Sequence, residues 1–166
     1  MKRLMVLLFL TGAGLLAGQQ SGNNPAFEPK FTELSQEDSR RLDQQRALVA
    51  AAAKQRYGAS LNRTKRDLPV IQRLINDKAF NKSQGYELQC LGVVFGDVLA
   101  SELRLQWVMI TDEYGTDPTL RFKNTSISVN ALTMISKRVE RNEPVDVFRL
   151  LQENREALAQ VEKKLR

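Results

Sequence analysis

Side chains able to do chemistry are few in this sequence, and one type is missing altogether: there is no histidine. That excludes His-based acid–base catalysis, Ser–His and Cys–His nucleophile pairs, and most zinc sites. Cys90 is the only cysteine, so no disulfide can close within the chain. It lies among Leu88, Leu91, Val93 and Val94, which predicts a buried, inert thiol. Carboxylate and cation chemistry remain.

Asp112, Glu113 and Asp117 form an acidic turn. Clustered carboxylates can hold a cation or act as an acid and a base. Their spacing does not follow a calcium loop, and Gly115 fits a turn, so solvated turn residues and no metal are expected. A carboxylate-dependent hydrolase acting on an envelope polymer is the alternative reading. It would set Glu113 or Asp112 against Asp97 or Asp117, at roughly 5–10 Å across a cleft. A second group is Trp107, Arg121, Lys123, Ser126 and Ser128, expected on the polar face of a sheet. Basic and aromatic side chains together suit a glycan or an acidic protein surface. The plain reading is the solvent-facing side of an antiparallel sheet. Lys137, Arg138 and Arg141 form a third group, with Glu140, Glu143 or the acidic turn as ion-pair partners. No catalytic residue is assigned, and no cofactor is expected.

The elements that must carry these groups follow from pattern. Ser35 and Asp38 form a capping box for a helix that presents Leu42, Val49, Ala50, Ala53 and Tyr57 and stops at Gly58. A second helix is expected from Asp67, as cap, to Asp77, with Leu68, Ile71, Leu74 and Ile75 inward. The third, over 84–104, carries a broad apolar face of Leu88, Leu91, Phe95, Val98, Leu99 and Leu103. Beside it Gly92, Gly96 and Ala100 form a stripe with almost no side-chain bulk. Glycine inside a helix costs about 1 kcal/mol against alanine, so the stripe predicts close approach of another backbone, with a ligand groove as the alternative.

Leu105–Thr111 reads as a strand, 112–118 as a loop, and Leu120, Phe122, Ile127 and Val129 alternate with polar residues as two more strands. Asn130 is expected to cap a helix over 131–141, and Asp146 a last helix carrying Val147, Leu150, Leu151, Leu158, Val161 and Leu165. The fold class is therefore α+β: a small three-stranded antiparallel meander packed against about five helices.

Residues 1–18 read as a secretory signal: Lys2 and Arg3, an apolar run from Leu4 to Leu10, then small residues to Gly18. The apolar run is shorter than the roughly 20 residues of a spanning helix. A periplasmic or secreted product is expected, with an inner-membrane anchor as the alternative if the signal stays uncleaved. Residues 19–34, with Pro25, Pro29 and several Gly and Asn, read as a flexible polar leader, and 35–166 as one domain. The signal holds two of the 25 Lys and Arg and none of the 19 Asp and Glu, which leaves 23 against 19, a balance of +4. Export removes nucleic acid as a partner, and this modest charge suits solubility.

The ordered set Leu91-Gly92-Val93-Val94-Phe95-Gly96-Asp97, Leu105-Gln106-Trp107-Val108, Asp112-Glu113-Tyr114-Gly115 and Lys137-Arg138-Val139-Glu140 resembles a bacterial family, domain of unknown function 3806, over about 88–158. The chain departs from it at Asn130, where such proteins often carry proline. The resemblance implies a compact α+β domain and brings no activity, cofactor or site residue. Together these readings lead to an exported binding or protein-interaction module. Its expected partner is a protein or envelope polymer, and an inhibitor of envelope machinery or an accessory to it is the expected role.

Overall fold

The computed structural model describes residues 28–165. Residues 1–18, read as a signal, and most of 19–34, read as a leader, lie outside the described residues. The first element is a short strand, β1 (Lys30–Thr32), followed by a long helix, α1 (Gln36–Tyr57). Ser35 opens α1 as expected. Its hydroxyl accepts from the Asp38 N–H at 3.1 Å, and the Asp38 carboxylate accepts the Ser35 N–H at 3.2 Å. Gly58 closes it at φ 64°, the left-handed conformation that costs glycine least. Leu42, Gln45, Val49 and Ala53 are the buried positions of α1, spaced three and four apart on one side.

A single 3-10 turn, Lys65–Asp67, leads into α2 (Leu68–Asn76), which buries Leu68, Ile71 and Leu74. Asp67 precedes α2 but does not cap it with its side chain. Its buried carboxylate turns back and accepts the backbone N–H groups of Asn62, Arg63 and Thr64, at 2.9, 2.7 and 3.3 Å. Those three amides would otherwise lack partners, and a carboxylate has acceptor sites enough for all of them.

α3 (Gly85–Leu103) is the hub. Between Leu88 and Leu99 every residue except Gln89 is buried. α1 and α2 pack against it, with the sheet on a further side. The glycine stripe is a packing device. A Cβ on Gly92 would meet the carbonyl oxygen of Ala131 at 2.7 Å, and one on Gly96 would meet the Trp107 ring at 2.5 Å. Both lie inside the closest separations that packed interiors allow, so the backbone at 131–132 and the indole sit where side chains would otherwise be.

Among the described residues the sheet has four strands, one more than the sequence pattern suggested, in the order β1-β2-β3-β4 and antiparallel throughout. β2 is Leu105–Asp112, β3 Gly115–Phe122 and β4 Ser128–Val129. The added strand, β1, comes from the segment read as leader. It is only three residues long and pairs Phe31 with Ile110, too little for a periodic pattern to reveal. The loop expected over 112–118 contracts to a two-residue turn at Glu113 and Tyr114. Asp112 pairs with Gly115, and 116–118 continue as strand opposite 109–111. Leu105, Trp107, Leu120, Phe122 and Val129 share the face toward the helices.

The helix expected over 131–141 is a short α4 (Ser136–Glu140), and Asn130 is exposed and caps nothing. Residues 131–132 are instead held in turns, Ala131 N–H to Val129 and Met134 N–H to Ala131, where they meet Gly92. α5 (Val147–Leu165) closes the core with Val147, Leu150, Leu151 and Leu158. Asp146 caps it through the N–H groups of Phe148 and Arg149, both at 3.0 Å.

Candidate functional site

The residues nominated from sequence do not meet in one place. Trp107 pairs with Leu120, whereas Arg121 pairs with Gln106 and Ser128, so Trp107 and Arg121 lie on opposite faces of the sheet. Trp107 thus lies apart from the polar face that carries Arg121. Arg121 stays on the outer face, with its guanidinium 4.5 Å from the Phe31 ring centre and its Nε–H donated to the Thr125 carbonyl at 2.7 Å. Ser128 beside it is buried. Ser126 is exposed in the β3–β4 turn. Lys123 occupies the same turn at φ 51° and pairs with Glu162 of α5 at 2.7 Å.

The acidic turn forms the end of the β2–β3 hairpin. Asp112 accepts the Tyr114 N–H at 2.9 Å, which shapes the hairpin. Glu113 sits at the tip, and a hydrogen bond from the Tyr114 hydroxyl to it pushes that phenol above its usual range. Asp117 faces outward with Ile110 in the middle of the hairpin. Asp97 is farther still: it bonds to Trp107, five residues before Asp112, or about 16 Å along β2 at the usual strand rise. Asp97 thus stands apart from the acidic turn, whereas Asp112 and Asp117 share the outer face of the hairpin as diagonal neighbours. Among the described residues no group of three or more His, Cys, Asp or Glu could hold a metal ion. In the third group, Arg138 donates to the Met134 carbonyl at 2.7 Å and Arg141 lies 4.0 Å from Glu143.

The strongest electrostatic feature is one that sequence reading missed. Asp97, on the buried side of α3, accepts a forked pair of bonds from Arg46 of α1, Nε to Oδ2 and NH2 to Oδ1, both 2.7 Å. Trp107 Nε1–H adds a third bond to Oδ1 at 2.9 Å. Arg46 also reaches Asp43 at 3.0 Å, and Arg63 stands 3.8 Å from Asp97 and 3.5 Å from Asp43. Burial alone would lower the Arg46 pKa, but its bonds to Asp97, then the charges of Asp97 and Asp43, outweigh burial and raise it. The group borders a 390 Å³ cleft between α1 and the 61–67 loop. Each acid there already has partners, so the arrangement is an inter-helix clamp. Arg46 stands 51 residues from Asp97, a separation at which no local pattern links them.

Two other concavities are open. The larger, 680 Å³, lies between the end of α2, the start of α3 and the connection from α4 to α5. Ile75, Phe80, Leu88, Leu91, Val139 and Val145 floor it, and Lys78 and Lys82 stand exposed among its lining. Neither lysine has an ion-pair partner among the described residues. The smaller, 310 Å³, runs between α1, the first turn of α3 and the β2–β3 hairpin.

Among the described residues, no helix is long and apolar enough to cross a membrane. No curated protein matches the chain. A crystal structure of a protein from Bacteroides thetaiotaomicron VPI-5482 shares the fold, with a TM-score of 0.70 at 14% sequence identity over 82% of this chain. This chain spans 50% of the length of that one. The model of a family described as a domain of unknown function, DUF3806, matches residues 67–150, from the entry of α2 into α5. That match takes in half of the sequence, including the glycine stripe, Asp97 and Trp107, and the chain belongs to the DUF3806 family.

Proposed function

We propose that this chain is an exported binding module without catalysis of its own, and that it holds a partner protein of the cell envelope in the 680 Å³ cleft. One observation carries this reading: the cleft joins an apolar floor to two lysines that have no ion-pair partner among the described residues. A volume of that size lies within the range of ligand sites, roughly 300–1,000 Å³. An apolar floor supplies binding energy by desolvation, and exposed like charges at the mouth select the charge of what enters. The occupant this favours is a short segment with one or two large apolar side chains flanked by Asp or Glu. The opposing acid, Glu143, is already beside Arg141, which leaves Lys78 and Lys82 to set the sign of the mouth. Export rests on the pattern of residues 1–18, and inhibition of an envelope enzyme or service to an envelope assembly is the role that follows from such docking.

The test is selection of phage-displayed peptides on the purified protein. Selected peptides are expected to combine Leu, Ile or Phe with acidic neighbours and to lose binding to Lys78→Glu/Lys82→Glu. Peptides that lack acidic residues, or that bind the charge-reversed protein equally well, would remove the cleft as the docking site.

A further inference from the structure

We infer that the 310 Å³ groove between α1 and the β2–β3 hairpin is a binding site for an N-acetylated amino sugar. The inference goes beyond the protein-docking cleft and does not depend on it. The key residue is Gln45. It is 9% exposed and lines the groove, yet its amide makes no hydrogen bond among the described residues. No fully buried side-chain nitrogen or oxygen in the described structure lacks a partner, so the Gln45 amide must reach solvent, and the groove is where it does so. An amide whose only partner is water can exchange that water for a ligand that returns the same hydrogen bonds.

The surroundings narrow what would satisfy it. A primary amide offers a carbonyl acceptor and two N–H donors in one plane. The best complement returns an N–H and a C=O together, as an acetamido group does, whereas a lone hydroxyl serves one at a time. Leu42, Met109 and Leu132 line the same groove and suit the acetamido methyl. Tyr86, 54% exposed at its edge, offers a flat amphipathic ring for the C–H face of a sugar. Gln44 and the Arg41–Asp38 ion pair add donors and acceptors for ring hydroxyls. The volume is at the small end of ligand sites, enough for one or two sugar rings. Asp117 also borders the groove, but the register sends its side chain to the opposite face, so it takes no part.

The experiment titrates the full folded chain with N,N′-diacetylchitobiose, with cellobiose and a capped dialanine peptide as controls, followed by chemical-shift changes in NMR. Wild type is expected to bind the diacetylated disaccharide and to bind cellobiose, which lacks the acetamido groups, about tenfold or more weakly. Gln45→Leu and Tyr86→Ala are each expected to weaken binding about tenfold, while Lys78→Glu/Lys82→Glu leaves it unchanged. Tyr86 is half exposed, so its variant keeps the test decisive should Gln45→Leu fail to fold. Absence of binding, equal binding of cellobiose, tighter binding of the dipeptide, or an unaltered Tyr86→Ala would each overturn the assignment.

Discussion

Replacing Arg46 with methionine isolates what the inter-helix clamp contributes. The Asp97 side chain is 5% exposed and that of Arg46 15%, so the pair is nearly out of water. Breaking a buried ion pair by removing one partner typically costs about 3–5 kcal/mol, because the remaining charge stays buried. Two features pull this case toward the lower end: Trp107 Nε1–H still donates to Asp97, and Arg63 already stands at 3.8 Å. The expected loss is therefore about 3 kcal/mol. At a urea dependence of about 2 kcal/mol per molar, that lowers the midpoint by roughly 1.5 M. Far-UV circular dichroism is the right probe, since the fluorescence of Trp107, the only tryptophan, would respond to the substitution directly. The double variant Arg46→Met/Asp97→Asn removes the buried charge while keeping an acceptor for Trp107 Nε1–H, and should recover part of the loss, the coupling expected of residues in one network. A single variant that costs under about 1 kcal/mol, or a double variant no more stable than Arg46→Met, would refute the clamp.

Two further outcomes test the packing of α3. Gly92→Ala should destabilise by about 2 kcal/mol or more, since the new methyl meets main-chain carbonyls that cannot swing aside; a urea midpoint equal to wild type would show that the 131–132 segment yields freely. Burial pushes the Cys90 thiol up to about 11 from 9.0. The unfolded chain therefore loses its proton first, and stability should fall as pH rises from about 9 to 11, by no more than the roughly 2.7 kcal/mol that a two-unit difference represents. Urea titrations across that window check it, and Cys90→Val, if it keeps the same slope, would assign the pH dependence to other groups.

Periodic patterns and caps read from the sequence matched the folded chain where the determinants were local. The Ser35–Asp38 box, the Gly58 stop, the apolar faces of α2 and α3 and the Asp146 cap each depend on residues within a few positions of one another. The stripe of Gly92 and Gly96 was legible as a demand for close approach, though not what would approach. The expectations that changed were those in which a local preference competed with a distant partner. Asn130 had the chemistry of a cap, but the adjoining backbone is held in turns beneath Gly92. Asp67 had the position of a cap, but three loop amides needed its carboxylate more.

Sequence alone was thus enough to exclude histidine chemistry and an internal disulfide, and to indicate helices and strands wherever hydrophobic residues recur at 3.6 or 2.0. It also carried the ordered residues by which the family was recognised. Tertiary structure decided what no spacing encodes: that Arg46 crosses to Asp97, that Trp107 turns from Arg121 to lie over Gly96, and that Gln45 is buried beside an open groove. The physical reason is range. Propensity, capping and periodicity act over one or two turns of chain, whereas the desolvation and pairing of a charge or an amide depend on neighbours that only the closed fold brings into contact.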